Sequence, residues 1–413
     1  MKRLLVCLFA VLFFSPPTTI TYAESFTLPA KGAIAFDLGT GKILYEKDAE
    51  KQYPIASLTK VLTTYLVYKE VHSGKLQWDT PVKISNYPYE LTTNYSISNV
   101  PLDARQYTVK ELLNAVLVTN ANSPAIALAE KISGTEPLFV DLMKKQLQSW
   151  GIKDVQLVNA TGLSNTVLGK NIYPKSDSDA ENKMSARQLA IITEHLLKEY
   201  PEVLEITKKT SSEFAKQNIF SYNYLLEGMP YAREGTNGLS VGISEKGGAS
   251  LITSSHEKNM DIITIILNAE EGKDKELQHF KIANQLLNYL KRHFEKVRVI
   301  TKNELIKDTR FPVHDSPQKT VRLAAKNNLD IIQKIGDNNQ KAIQFHQTLD
   351  PLVAPIKSDK VLGKAIFKDK NVIGSGYLNQ PPSVPLKADK DIPKSFFLKV
   401  WWNRFVTYVN TKL

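Results

Sequence analysis

The sequence predicts an α+β fold with an antiparallel sheet. Two short strand patterns near the N-terminus flank a glycine-containing turn, and three more strand patterns follow one another later, joined by short polar turns. Helical patterns with clear capping residues lie between these two groups of strands. Strands and helices that occur in separate runs, without strict alternation, are typical of an α+β domain.

The composition is that of a large globular protein. The chain has 413 residues, of which 42% are hydrophobic and 23% charged, enough for two or three domains of ordinary size. Basic residues exceed acidic ones by 53 − 42 = 11. We find neither an arginine-rich run nor aromatic residues interleaved with basic ones, so no nucleic acid partner is expected. Anionic lipids and cell-envelope polymers suit the positive charge better.

Residues 1–23 have the pattern of a secretory signal peptide. Lys2 and Arg3 precede an apolar run over residues 4–14, and small residues follow. The only cysteine, Cys7, lies inside this run, so we expect no disulfide in the exported chain. Loss of the two basic residues leaves a net charge of 51 − 42 = +9. We therefore expect a secreted protein at the extracellular face of the cytoplasmic membrane.

The first folded domain is predicted over residues 24–296. Strands over residues 33–36 and 43–45 enclose a hairpin turn at 37–41, and a helix opens near Ser57. Further on, the alternation of apolar residues predicts three antiparallel strands, and a helix closes the domain. These later elements cover residues 239–243, 249–254, 261–267 and 274–296.

Capping residues mark several helix starts in the middle of this domain. Thr108 and Glu111 form a capping box, and Ser185 is predicted to cap another helix. Ser123 and Pro124 predict an N-cap followed by a first helical residue.

Residues 297–390 are predicted to form a small, separate all-β domain. Short strand-like pieces alternate in it with long polar loops, and they cover residues 320–324, 342–345, 364–367 and 371–374.

The C-terminal residues 391–413 predict an amphipathic helix. Its apolar face contains Phe397, Leu398, Trp401, Trp402, Phe405, Tyr408 and Val409. Lysine, arginine and asparagine residues interrupt the segment, whereas a spanning helix needs about 20 predominantly apolar residues. We expect the aromatic residues to bind the membrane surface, with the helix lying in the interface. The alternative is a terminal helix that packs on the β domain.

Ser57 and Lys60, in the stretch PIASLTK, form an S-x-x-K pattern at a helix start. In one interpretation Ser57 caps the helix and Lys60 is solvated. In the other, the two side chains share a helix face, so a neutral Lys60 amine takes the proton of the Ser57 hydroxyl. Burial would favour the neutral amine, because desolvation lowers a lysine pKa.

Three segments in order, YPIASLTK, VTNANSPAIALAE and NGLSVGISEKGGASLI, resemble the low-molecular-weight penicillin-binding proteins, which are serine D-alanyl-D-alanine carboxypeptidases. Within that family the chain most resembles the penicillin-binding protein 3 type of streptococci. The resemblance covers nearly the whole chain and implies a β-lactamase/transpeptidase-like first domain. It also implies peptidoglycan stem peptides as substrates, β-lactams as covalent inhibitors, and no metal or cofactor.

The family has three motifs around one cleft: S-x-x-K, S-x-N and K-T-G. By resemblance, Ser57 is the nucleophile, Lys60 is its base and Asn122 positions the substrate. The second motif is altered, because Asn120 stands where the family has a serine that relays a proton. An amide cannot relay a proton by the same route.

The third motif is altered further. Ser240 stands at the lysine position and Val241 at the threonine position, while Gly242 is kept. In the family these two side chains hold the terminal carboxylate of the substrate, and a charge-assisted bond contributes about 1.5 to 3 kcal/mol. The oxyanion hole is unaffected, since the resemblance assigns it to the backbone N–H groups of Ser57 and Ile243.

Two functions remain open. The first is a carboxypeptidase that removes the terminal D-alanine of pentapeptide stems. If Ser240 does not bind the substrate carboxylate, Arg187 and Arg233 are candidate cations for it. The second is a weakly active or inactive relative that binds stem peptides as a cell-wall scaffold. The residues Asn120, Ser240 and Val241 motivate the second function.

A competing motif overlaps the third segment. Residues 238–242 match G-x-S-x-G, the nucleophile elbow of α/β-hydrolases. That elbow requires a helix after the serine, whereas the sequence predicts a turn and another strand. We therefore expect a strand here, without a hydrolase nucleophile.

Overall fold

The computed structural model describes residues 26–270, 277–339, 341–348 and 351–412. The predicted signal peptide lies outside these residues, as does the predicted start of the closing helix at residue 274.

The first domain is a mixture of helices and strands, as predicted. Its strands are β1 (Ala30–Asp37), β2 (Ile43–Lys47), β3 (Gln52–Pro54), β4 (Pro81–Lys83), β5 (Gln106–Thr108), β6 (Lys183–Ser185), β7 (Ser211–Phe214), β8 (Gln217–Phe220), β9 (Thr236–Ser244), β10 (Gly248–Glu257) and β11 (Met260–Ala269). Its helices are α1 (Lys60–His72), α2 (Asn86–Leu91), α3 (Val109–Thr119), α4 (Asn122–Ser133), α5 (Glu136–Ser149), α6 (Asn165–Leu168), α7 (Ala186–Glu199), α8 (Leu204–Thr207) and α9 (Gln278–His293).

The central sheet has five antiparallel strands in the order β2-β1-β11-β10-β9. Strands β1 and β11 are buried almost throughout, because α7 packs on one face of the sheet, in a core that α1, α3 and α4 share, and α9 packs on the other. Strand β9 lies at the edge of the sheet that the described residues form, and it pairs with β10, with Val241 opposite Leu251. The antiparallel sheet predicted from the sequence is confirmed.

Two of the predicted helix starts are confirmed and one is wrong. Thr108 forms the predicted capping box with Glu111, and Ser185 caps α7. Ser123, however, is the second residue of α4, which begins one residue earlier at Asn122. The Ser123 N–H is satisfied by the Asn99 side-chain oxygen at 2.8 Å, so Ser123 has no capping role.

The closing helix also ends earlier than predicted. Helix α9 stops at His293, and Phe294 already has an extended backbone, as the first residue of the next strand. The Phe294 side chain is buried among residues of the sheet and α9, and its backbone pairs with Lys334 of the second domain. Tertiary packing therefore replaces the last helical turn that the sequence predicted.

The second domain is all β, as predicted. Its strands are β12 (Phe294–Ile300), β13 (Leu305–His314), β14 (Thr320–Ala325), β15 (Leu329–Lys334), β16 (Ile343–Gln347), β17 (Leu352–Val353), β18 (Val361–Phe367) and β19 (Ser383–Ala388). A six-stranded sheet has the order β16-β18-β19-β14-β13-β17, and β12 pairs with β15. A separate apolar core lies within it.

The predicted strand at residues 371–374 is wrong, because this segment belongs to a loop that contacts the first domain. The Gly376 carbonyl accepts the Ile43 N–H at 2.9 Å. The ammonium of Lys42 lies 2.6 Å from the Asp369 carboxylate, which also accepts the Tyr377 hydroxyl at 2.8 Å. Contacts between this loop and the first domain thus replace the strand that the sequence predicts within the second domain.

The last helix, α10 (Phe397–Lys412), has its aromatic face exposed. Trp401, Trp402 and Phe405 are 62%, 59% and 48% exposed, whereas Val400 is buried. The alternative prediction, in which the apolar face of this helix packs on the β domain, is therefore wrong, because the aromatic residues of that face are exposed. Within the part of the chain that the structure describes, no helix is long and apolar enough to cross a membrane.

Candidate active site

Ser57 and Lys60 are in direct contact. Ser57 lies in a 3-10 turn, Ala56–Thr59, and Lys60 is the first residue of α1. Lys60 Nζ donates a hydrogen bond to Ser57 Oγ at 2.9 Å and another to the Thr161 carbonyl at 3.3 Å. Lys60 is only 3% exposed, and burial lowers its pKa to about 7. The interpretation as a helix cap with a solvated lysine is wrong.

The turn that carries Ser57 has a strained backbone. Ala56 has a φ of 45°, which is uncommon for a residue with a side chain. Gly162, with a φ of 84°, lies against this turn, and a Cβ at Gly162 would be 1.7 Å from the Ala56 carbonyl oxygen. Only glycine permits this close approach. This contact helps to hold the backbone of the turn that carries Ser57.

The loop around Gly162 is itself held by buried amides. Asn159 Oδ1 accepts the N–H groups of Thr161 and Gly162. The Asn182 side chain donates to the Asn159 carbonyl at 2.9 Å and to the Thr59 hydroxyl at 3.0 Å. Both amides are buried and form several hydrogen bonds. They therefore connect the loop around Gly162 to the turn that carries Ser57.

A buried carboxyl group completes this support. Glu136, which is 4% exposed, accepts the Ala160 N–H at 2.9 Å and the Tyr87 hydroxyl at 3.0 Å. Burial raises the pKa of Glu136 to about 7. No motif in the sequence indicates this residue, because its role depends on the folded position of the loop.

The two asparagines of the second segment have different surroundings. Asn122 donates both its backbone N–H, at 3.1 Å, and its side-chain amide, at 2.9 Å, to the Ser98 carbonyl. Its Oδ1 is buried and has no hydrogen-bond partner among the described residues. Asn120 ends α3 in a left-handed conformation, and its side-chain amide donates to the Val241 carbonyl at 3.1 Å.

Strand β9 forms the opposite wall and approaches Ser57 closely. A Cβ at Gly242 would be 3.1 Å from the Ser57 nitrogen and 3.3 Å from the Ala56 Cβ. Ile243, next along the strand, is 60% exposed at the rim. The strand continues to Ser244 and turns into β10, so the hydrolase-elbow interpretation is excluded.

An open cleft of about 510 Å³ connects these elements. Among the predicted site residues, its walls contain Ser57, Asn120, Asn122, Val241, Gly242 and Ile243. Lys60 and Ser240 instead line a small cavity of about 30 Å³, which Asn120 and Val241 line as well. The structure thus brings together all the residues that the three segments predicted.

Other residues of the cleft were not predicted. They are Tyr95, Ser96, Ile97, Ser98, Tyr222, Tyr224, Leu277, His279 and Phe280. They come from separate loops and from the region where α9 begins, and none lies in a recognisable motif. His279 is only 1% exposed, its Nδ1 has no partner among the described residues, and burial lowers its pKa to about 4.

The two arginines considered as replacement cations lie elsewhere. Arg187 pairs with Glu46 at 3.0 Å and also with Glu50. Arg233 pairs with Glu257 at 2.5 Å, a carboxylate that is nearly fully buried. Neither arginine lines the cleft, so neither of these candidates supplies a cation at the position of the third-motif lysine.

Comparison with known proteins shows that both domains of this chain match described protein families. Residues 18–271 match the peptidase S11 family, described as D-alanyl-D-alanine carboxypeptidase, and residues 294–394 match the penicillin-binding protein 5 C-terminal domain. The chain is 25% identical over 377 residues to the D-alanyl-D-alanine carboxypeptidase DacF of Bacillus subtilis, with 89% of this chain and 87% of that protein covered.

Two solved structures are also similar. One is a peptidoglycan synthesis regulatory factor (PBP3) from Streptococcus pneumoniae, with a TM-score of 0.83, 45% identity, and coverage of 89% of this chain and 100% of that one. The other is penicillin-binding protein D2 from Listeria monocytogenes in an ampicillin-bound form, with a TM-score of 0.53, 25% identity, and coverage of 64% and 97%. The chain therefore belongs to the S11 family of D-alanyl-D-alanine carboxypeptidases and carries a penicillin-binding protein 5 C-terminal domain.

Proposed function

We propose that this protein is a serine carboxypeptidase that removes the terminal D-alanine from peptidoglycan pentapeptide stems, with Ser57 as nucleophile and Lys60 as general base. The observation that carries the proposal is the buried Lys60 amine, 2.9 Å from the Ser57 hydroxyl where that hydroxyl meets an open cleft. With a pKa of about 7, a large share of this amine is neutral at physiological pH.

The proposed acylation step follows from this contact. The neutral Lys60 amine takes the Ser57 proton while Oγ forms an ester bond with the carbonyl carbon of the penultimate D-alanine. The backbone N–H groups of Ser57 and Ile243 stabilise the oxyanion. The C–N bond then breaks, and the departing D-alanine amine takes the proton from Lys60.

Deacylation uses the same base. Water attacks the ester carbonyl, Lys60 takes a proton from the water, and the bond to Ser57 Oγ breaks. The proton returns to Oγ, which restores the free enzyme. These steps need no cofactor, and β-lactams would acylate Ser57 in the same way.

Asn122 has the role of a substrate acceptor in this proposal. Two hydrogen bonds to the Ser98 carbonyl fix its backbone and amide nitrogen, so its unpartnered Oδ1 has a set orientation. A stem-peptide N–H is the natural donor for a buried oxygen of this kind. Asn120 has a structural role, because its amide is bonded to Val241.

A second function remains a candidate: a stem-peptide-binding protein with little or no turnover. Ser240 and Val241 favour it, because neither offers a charge to a substrate carboxylate. Fluorescent penicillin distinguishes the two functions. Labelling of the wild type that is lost in Ser57→Ala supports the enzyme, and the absence of labelling supports the scaffold. Release of D-alanine from diacetyl-lysyl-D-alanyl-D-alanine then shows whether the ester also hydrolyses.

We further propose that α10 anchors the exported protein to the outer face of the membrane. The exposed faces of Phe397, Trp401, Trp402 and Phe405 support this proposal, because aromatic residues favour the headgroup region. The proposed order is an export signal over residues 1–23, a catalytic domain over 24–296, a β domain over 297–390 and this anchor.

Vesicle binding tests the anchor. Deletion from Pro393 onward should abolish co-sedimentation with phosphatidylglycerol vesicles and leave penicillin labelling intact. A full-length variant with Trp401→Ser, Trp402→Ser and Phe405→Ser should show the same loss, with the rest of the chain unchanged. Continued binding of both variants would contradict the proposal.

A further inference from the structure

The positive charge of the exported chain is concentrated in its second domain and its C-terminal helix. Residues 24–296 contain 31 basic and 32 acidic residues, for a net charge of 31 − 32 = −1. Residues 297–390 carry 16 − 9 = +7, and residues 391–413 carry 4 − 1 = +3. A charge excess confined to one small domain favours an anionic partner for that domain.

A depression of about 470 Å³ lies at one edge of the six-stranded sheet, where β16 begins and β18 ends. Its lining contains three exposed lysines and three residues with amide side chains, which are Lys341, Lys368, Lys370, Asn338, Asn339 and Gln344. Gln340, which lies next to Lys341 in sequence, carries no charge. Ammonium groups are donors only, so this depression suits an anion with several acceptor oxygens.

The acidic residue between two of these lysines is paired elsewhere. Asp369 lies between Lys368 and Lys370 in sequence, but its side chain is only 4% exposed and lies 2.6 Å from the ammonium of Lys42 in the first domain. Asp337, next to the depression in sequence, has one carboxylate oxygen bonded to a side-chain amide at 2.8 Å. Lys368 and Lys370 therefore keep their charge at the surface, while Asp369 is neutralised in the contact between the domains.

The positive charge continues from this depression along β18. Side chains of a strand alternate between its two faces, and Ala365 and Phe367 are buried in the core of the domain. Lys364 and Lys368 are exposed on the opposite face, and four residues of strand span about 13 Å. Together with the two other lysines of the depression, they form what we call the basic surface. A chain molecule with repeated charges can contact several of these lysines at once.

The depression lies at the opposite end of the sheet from α10. Strand β18 begins at Val361, opposite Lys387 of β19, and β19 leads to the start of α10, where the Ser395 N–H donates to the Asp315 carbonyl at 2.7 Å. The depression is at the other end of β18, about 20 Å away along the strand. Attraction between exposed charges is screened over about 8 Å at physiological salt. A membrane surface at α10 therefore attracts the lysines of the depression only weakly.

A polymer that carries phosphodiester groups fits these features. Phosphodiesters are strong acceptors with a permanent negative charge, and lysine binds phosphate oxygens as a point charge. A polymer with many such groups contacts several lysines of the basic surface together, and each contact releases counterions. A row of cations thus binds a linear polyanion more tightly than it binds one phosphate ion.

We propose that the basic surface of the second domain binds an anionic envelope polymer whose repeating charged group is a phosphodiester. Lipid headgroups contain the same group, but the distance between the depression and α10 favours the polymer. The depression and the cleft at Ser57 share no lining residue. The inference therefore does not depend on the proposed function.

Binding of poly(glycerol phosphate) to the whole exported chain tests the inference. Isothermal titration calorimetry at several salt concentrations gives the dissociation constant and its salt dependence. A basic-surface variant, with Lys341→Ser, Lys368→Ser and Lys370→Ser, should bind about tenfold more weakly and depend less on salt, because three charged contacts are lost together. The three side chains are exposed, so the melting temperature should stay at the wild-type value.

A second triple variant removes the same charge from the other end of the domain. Lys319, Lys360 and Lys390 are exposed lysines outside the basic surface, and all three are replaced by serine. This variant should bind poly(glycerol phosphate) within about twofold of the wild type, because its charges are lost beyond the screening distance. An equal loss of binding in the two variants would show that only the overall charge matters and would overturn the inference. A wild type that does not bind the polymer at physiological salt would overturn it as well.

Vesicles distinguish the polymer from the lipid as the source of the phosphodiester. The wild type and the basic-surface variant are compared in co-sedimentation with phosphatidylglycerol vesicles. We expect equal co-sedimentation, because the three replaced lysines lie at the end of the sheet away from α10. A variant that loses vesicle binding but binds poly(glycerol phosphate) like the wild type would assign the surface to lipid and overturn the inference.

Discussion

The side-chain amide of Asn120 donates to the carbonyl of Val241 at 3.1 Å and so joins the end of α3 to the edge strand β9. Asn120 has a φ of 56°, a conformation that asparagine tolerates better than most residues with a side chain. The altered residues of the second and third segments are therefore in direct contact. Asn120 supports the wall that Val241 belongs to.

Two substitutions of Asn120 that remove this hydrogen bond should destabilise the first domain by different amounts. Asn120→Gly keeps the left-handed backbone and loses the hydrogen bond, for a cost of about 1 kcal/mol in the free energy of unfolding. Asn120→Ala also strains the backbone, for a total of about 2 kcal/mol. Urea denaturation measures both values. An alanine variant as stable as the wild type would contradict this role.

The acylation rate should rise with pH and level off above about pH 7. Lys60 must be neutral to take the Ser57 proton, and burial sets its pKa at about 7, so protonation below that value removes the base. Penicillin acylation measured from about pH 5 to 9 gives this profile. A rate that is flat or falls over this range would contradict the assignment.

Lys60→Arg provides the matched control for that profile. It keeps a basic side chain, but a guanidinium stays protonated and cannot act as a base. We expect the acylation rate to fall by about a hundredfold or more and to lose its rise near pH 7. A variant with nearly wild-type acylation would show that the base is another group.

Glu136 should reduce stability at high pH. Its folded-state pKa of about 7 lies above the ordinary value of 4.5, so the folded protein binds the proton more tightly than the unfolded chain does. Its contribution is complete below about pH 4.5 and is lost as the pH rises through about 7.

Glu136→Gln removes the ionisation at nearly the same shape. Its amide oxygen can still accept the Ala160 N–H, while its NH2 donates to the Tyr87 hydroxyl in place of accepting from it. Relative to the wild type, this variant should gain about 1 to 3 kcal/mol in the free energy of unfolding between pH 5 and pH 8. Denaturation at the two pH values measures the gain. A difference that does not change with pH would contradict the burial argument.

Gly242→Ala should separate β9 from the Ser57 turn. The added Cβ would be 3.1 Å from the Ser57 nitrogen, so the strand or the turn must shift by a few tenths of an ångström. We expect acylation to slow by about tenfold or more, because an oxyanion site is sensitive to small displacements.

Gly39→Ala is a suitable control for this substitution. Its added Cβ would lie at an ordinary 3.4 Å from the nearest heavy atom, in the turn between β1 and β2. This variant should acylate at the wild-type rate. Equal rates for the two glycine variants would argue against a close fit between β9 and Ser57.

Local patterns account for what the sequence predicted correctly. The contact between Ser57 and Lys60 depends on their spacing of three residues, and the capping box at Thr108 is equally local. The antiparallel sheet follows from short turns between alternating strands. Each of these features is determined within one short stretch of chain.

Features that depend on contacts between distant segments were not predicted. Glu136 and Asn182 support the Ser57 turn through a loop that is distant from it in sequence, and His279 enters the cleft from the start of α9. The α4 start at Asn122 and the loop at residues 371–374 likewise depend on neighbours across the fold. No periodicity or motif marks such residues.

The mass of the intact protein after incubation with benzylpenicillin tests the central claim most directly. Because the β-lactam ring opens without losing a fragment, we predict a mass increase equal to one whole penicillin molecule, located on the peptide that contains Ser57 and absent in Ser57→Ala. An unchanged mass for the folded wild type, or an adduct that persists in Ser57→Ala, would contradict the claim that Ser57 is the nucleophile.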